Sequence, residues 1–148
     1  PTYAELPAKF EAGTQYVEGA VSLVAAIRYV QAIGFDEIRA QEKRLVTRCL
    51  EGMKKLPFIH IIGPTNPEEK EGLVAFEVEG VHPHDVAQIL SAKGICIRTG
   101  HHCAEPLHHY LGINASCRAS FYFYNTVDEV DYFLKELKDV RKVMGYDD

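Results

Sequence analysis

Apolar residues recur along this chain with two different periods. Phe35, Ile38, Leu45, Cys49, Met53 and Leu56 return at spacings near 3.6, which predicts an amphipathic helix ended by Pro57, with Cys49 on its inner face. Ahead of it, segment 20–33 is apolar nearly all round and predicts a helix buried on several sides and stopped at Gly34. The run 58–62 is rich in β-formers and closes at Gly63-Pro64, so it reads as a strand followed by a polar loop over 65–71. Over 73–79, Val74, Phe76 and Val78 alternate with Ala75, Glu77 and Glu79, the pattern of a strand with one wet face. Pro83 in a first turn, an apolar stripe of Val86, Ile89 and Leu90, and Gly94 predict a helix that feeds a short strand over 95–98. Alternation returns over 118–124, with Ala119, Phe121 and Phe123 on one side. Thr126-Val127-Asp128-Glu129 fits a capping box that opens a helix whose inner face runs from Val130 through Phe133, Leu137 and Val140 to Met144. Together these elements predict an α/β two-layer sandwich: a small mixed or antiparallel sheet of about four strands, covered by helices on one face. Residues 1–18 read as an extended lead-in and 19–148 as one small α/β domain.

Composition narrows the function. The chain has 148 residues, 47% of them hydrophobic, and 16 Lys and Arg against 21 Asp and Glu, for a net charge of -5. These are the proportions of a single globular domain, which excludes disordered and collagen-like designs. One basic pair, Lys54-Lys55, is no patch for a phosphate backbone, so nucleic acid is not expected as a partner. The absence of a bilayer-length apolar run and of a signal-peptide pattern points to the cytoplasm and away from membranes. Four cysteines without CxxC spacing argue for reduced thiols rather than a disulfide framework. The chain opens at Pro1-Thr2-Tyr3 without Met, which reads as an excised piece carrying part of a site.

The chemistry concentrates between 98 and 118. Cys103 lies in a polar Gly/His loop rather than on an apolar stripe, so its thiol is expected to be exposed, with His101, His102 and Arg98 near enough in sequence to activate it or shuttle its proton. Cys49 reads as core, and Cys96 and Cys117 as structural residues in or beside strands. Arg98 ends one predicted strand and Arg118 begins another. If those strands are neighbours, both guanidinium groups approach the Cys103 loop and a small carboxylic acid fits between them. The pairs His82/His84, His101/His102 and His108/His109 lack the spacing of a zinc site, and no metal is expected. His82-Pro83-His84-Asp85 opens a helix at the surface, where a partner could reach His84.

Arg98-Thr99-Gly100-His101-His102-Cys103-Ala104-Glu105-Pro106-Leu107 resembles the active-cysteine segment of group II, SUF-type cysteine desulfurases and related selenocysteine lyases, of the class-V aminotransferase family. Phe10-Glu11-Ala12-Gly13-Thr14, His82-Pro83-His84-Asp85-Val86, Cys117-Arg118-Ala119-Ser120 and Tyr124-Asn125-Thr126 resemble the same family in the same order. The similarity spans nearly the whole chain but only the C-terminal part of the family's length, and implies the small domain of a fold-type I pyridoxal-phosphate enzyme. The resemblance implies that Cys103 takes the sulfur of L-cysteine as a persulfide and releases alanine. It further implies that Arg118 grips the substrate carboxylate, that Arg98 is a second active-site arginine, and that Gly13 and Thr14 reach the cofactor phosphate of the other subunit of a homodimer. His84 is implied at the docking surface for a sulfur-acceptor protein of the SUF system. One feature of the family is missing: no lysine here follows a histidine, so the Ser-x-His-Lys segment that holds the cofactor is absent. The chain alone is therefore expected to bind no pyridoxal phosphate covalently and to be inactive. Two other readings use the same thiol: a free-standing sulfur- or metal-relay module, and a thiol hydrolase, which needs a histidine within hydrogen-bond reach of Cys103.

Overall fold

The computed structural model describes residues 2–146. Contacts divide the chain into two compact units that meet in sequence at Phe35 and Asp36. The first unit holds a 3-10 turn, Ala8–Phe10, and helix α1, Val17–Ile33. As expected, α1 stops at Gly34, whose φ of 93° leaves the helical region while its N–H still bonds to the Val30 carbonyl at 3.1 Å. None of the α1 residues is buried, and Val21 stays 66% and Leu23 60% exposed, the surface expected of a helix whose burial needs a neighbour. An apolar surround in sequence records a need for cover, and it does not by itself supply the cover.

The second unit carries α2 (Phe35–Met53), β1 (Ile59–Ile62), β2 (Leu73–Val78), α3 (Pro83–Ser91), β3 (Arg98–Gly100), α4 (Glu105–Leu111), β4 (Ser116–Ser120), α5 (Val127–Lys138) and α6 (Val140–Val143). The four strands form one antiparallel sheet in the order β1-β2-β4-β3. Register places Val74 opposite Ala119, Phe76 opposite Cys117 and Val78 opposite Ile59, so one apolar face is assembled from three strands. Leu45, Cys49 and Met53 of α2, Val86 and Leu90 of α3, and Val130, Phe133 and Leu137 of α5 close over that face as a single core. This is the two-layer α/β sandwich expected. Short α4 is the exception, attaching at the opposite sheet face.

Three elements differ from expectation. The strand expected over 95–98 begins only at Arg98, because the Ile95 N–H turns back to the Leu90 carbonyl at 3.0 Å and closes the end of α3. The strand expected over 118–124 instead runs Ser116–Ser120. Past it, the Asn125 side chain accepts the Tyr122 N–H at 2.9 Å and draws the backbone into a turn. The last helix breaks at Asp139 into α5 and α6, leaving Met144 exposed. No single helix among the described residues is long and apolar enough to cross a membrane.

Candidate active site around Cys103

The sheet face opposite the core, to which short α4 attaches, carries the chemistry, because strand alternation that sends Cys117 and Ala119 into the core sends Ser116, Arg118 and Ser120 to the other side. β3 pairs with β4 so that Arg98 lies directly opposite Arg118 and Gly100 opposite Ser116. The condition set by the sequence is met: the two arginines are cross-strand neighbours on one face. Arg118 Nε donates to Ser120 Oγ at 3.0 Å, which orients the guanidinium along its strand. Among the described residues neither arginine forms an ion pair with a carboxylate. Two like charges held side by side without a counter-charge invite an anion, and the planar forks suit a carboxylate.

Cys103 stands at the edge of this face. Its thiol is exposed, and Arg98 Nη2 donates to Sγ at 3.3 Å, placing a cation where a thiolate would carry its charge. The backbone that presents it is unusual: His102 has φ 54° and Cys103 φ 62°, consecutive non-glycine residues in the left-handed region. Each such residue costs about 1–2 kcal/mol against ordinary backbone, so the turn must be held by what surrounds it. Gly100, at φ 109°, enters the turn at no such cost.

The holding groups lie beneath. His108 of α4 and Ser116 of β4 are buried polar residues, 4% and 1% exposed. His108 Nδ1 meets the Ala104 carbonyl at 3.1 Å, and Nε2 meets Ser116 Oγ at 3.0 Å. His102 Nε2 meets the Ser116 carbonyl at 3.1 Å and its Oγ at 3.0 Å. A carbonyl only accepts, so His108 donates from Nδ1 to Ala104 and accepts the Ser116 hydroxyl hydrogen bond at Nε2, while His102 donates from Nε2. Burial, then the adjacent Arg118 charge, lower the His102 pKa from the usual histidine value, which favours the neutral ring. His108 and Ser116 escaped the sequence reading. In the sequence His108 is half of an adjacent pair, and no local signal marks its partner, which lies on a separate strand.

The remaining candidates are carried by other elements. His84 is exposed in the first turn of α3, where His82 Nδ1 accepts its N–H at 3.3 Å. Gly13, at φ 75°, and Thr14 are exposed in the first unit. Cys49 and Cys117 are fully buried, and desolvation pushes both thiols up to about 12. Cys96, expected as structural, is exposed, because the loop that carries it never joins the sheet. Among the described residues no histidine bonds to Cys103 and no three metal-ligating side chains converge. The thiol-hydrolase reading thus lacks its base.

The chain matches the aminotransferase class-V family over residues 1–133. A probable cysteine desulfurase of Staphylococcus aureus (strain COL) is 42% identical over 99% of the chain, which spans 35% of that protein's length. The apo structure of the cysteine desulfurase of Thermococcus onnurineus NA1 superposes with a TM-score of 0.87 at 46% identity, covering 95% of this chain and 35% of that one. The cysteine desulfurase CsdA of Escherichia coli, in an S-sulfonic acid form, superposes at 0.84 with 31% identity, covering 93% and 33%. Sequence and fold agree, and this chain belongs to the class-V aminotransferase family.

Proposed function

We propose that this chain is the sulfur-accepting C-terminal part of a longer cysteine desulfurase, with Cys103 as the thiol that takes sulfur from L-cysteine. One observation carries the reading: exposed Cys103 stands on a left-handed turn with Arg98 at its sulfur and with Arg98 registered against Arg118. Arg118 grips the substrate carboxylate bidentately, and Arg98 compensates charge on the attacking sulfur. The Cys103 sulfur gives an electron pair to the substrate sulfur, and an S–S bond forms as the substrate carbon–sulfur bond breaks. The carbon keeps that bond's electron pair and takes a proton, leaving alanine, while Cys103 holds the persulfide. Its exposed turn then presents the sulfur to an acceptor protein of the SUF system in the cytoplasm, with exposed His84 as docking residue.

Pyridoxal phosphate, the cofactor of the family, supplies the electron sink for this chemistry. The residues here fit the substrate carboxylate and the sulfur but not the covalent hold on that cofactor, which needs an amine: no lysine occurs in segment 98–120. The parent holds it elsewhere, Gly13 and Thr14 reach its phosphate across a homodimer, and the chain alone is inactive. The test joins this segment to its upstream sequence and measures alanine release. Cys103→Ser should abolish desulfuration of L-cysteine, and unaltered turnover would overturn the assignment.

A further inference from the structure

We propose that Ser116 and His108 are positioning residues of the sulfur-accepting loop: a buried hydrogen-bonded pair that latches the residues on both sides of Cys103 and so keeps its thiol beside Arg98. The inference rests on reading Cys103 as the sulfur acceptor. His102, before Cys103, is tied by its ring to the Ser116 carbonyl and hydroxyl, and Ala104, after it, gives its carbonyl to His108 Nδ1 at 3.1 Å. Both ties end in one junction, the Ser116 hydroxyl bonded to His108 Nε2 at 3.0 Å. Two successive left-handed residues do not persist without such restraint. Because the junction is buried, removing the hydroxyl strands the His108 Nε2 acceptor where water cannot replace the bond. Neither residue touches substrate; they act by fixing where the sulfur stands.

Alkylation of Cys103 by iodoacetamide reads this placement without substrate or cofactor, so its outcome is independent of the desulfurase assignment. In the 148-residue chain carrying Cys96→Ser, which leaves Cys103 as the exposed thiol, Ser116→Ala should slow alkylation at neutral pH by about ten-fold, the scale of losing a neighbouring cation that favours the nucleophilic thiolate. Ser116→Thr keeps the hydroxyl and should stay within about two-fold of the unchanged chain, a rescue that a packing role alone would not give. Where Ser116→Ala does not fold, His102→Phe, which cuts one tie from the loop side, carries the same expectation. Equal alkylation rates with and without the latch, or nitrogen-15 spectra placing the His108 proton on Nε2, would overturn the proposal.

Discussion

Arg98 and Arg118 owe their meaning to distance. Either alone is an ordinary strand residue, and together they stand opposite each other beside a thiol, without a carboxylate partner among the described residues, the arrangement on which the proposed carboxylate grip rests. Lysine would keep the charge of Arg118 and lose its fork. In the parent enzyme Arg118→Lys should therefore lower kcat/KM for L-cysteine by about ten-fold or more, chiefly through KM, because a ground-state carboxylate contact is weakened. Steady-state kinetics on L-cysteine check this, and an unchanged KM would move the carboxylate elsewhere. Cys103 was legible from its polar neighbours. The His108 and Ser116 latch was not, because its partners are eight residues apart and meet only when α4 folds back onto β4.

Elements whose stop and start signals are local came out as read. The capping box at Thr126 is complete: its side chain accepts the Glu129 N–H at 3.2 Å, and Glu129 accepts the Thr126 N–H at 2.8 Å. That backbone donor holds the Glu129 carboxyl below the usual range, so the box loses strength as pH falls through the lowered value. Thr126→Ala should cost about 1 kcal/mol of unfolding free energy, measured by urea titration near neutral pH. The strands were less legible at their ends. Ile95 and Ile97 have strand-like alternation yet pack on the core from a loop. Alternation reports a buried side and a wet side, and both loop and strand can satisfy it.

For the whole molecule, the core cluster is drawn from the second unit alone, running from Leu45 to Val140. Removing residues 1–35 should leave the thermal midpoint within a few degrees, about the shift of a 1 kcal/mol change. It should also suppress concentration-dependent association, since exposed Val21, Leu23, Val24 and Ile27 go with it. Sedimentation at several concentrations and a thermal melt test both halves. Alkali probes the core from within. Cys49 and Cys117 are raised from 9.0 to about 12 in the folded state, so the unfolded chain loses these protons first. Their contribution is full below about pH 9 and is lost as pH climbs toward about 12, at about 1.4 kcal/mol per pH unit for each thiol. Cys117→Ala should flatten the fall in stability between those limits, as read by urea titrations across the range.

By itself the sequence determined the element types, the core residues Val74, Phe76 and Val78 of β2 and Val130, Phe133 and Leu137 of α5, and the exposure of Cys103, because periodicity, caps and polarity act over one or two turns of chain; in α2 it found Ile38, Leu45, Cys49 and Met53 but missed buried Val46 and Leu50 and counted Phe35, which is exposed. Tertiary structure alone decided that β3 lies against β4, that Arg98 faces Arg118, and that Ser116 meets both His102 and His108. Pairing and cover depend on surfaces distant in sequence, and their registry is set by the packing of the whole sheet rather than by any local signal.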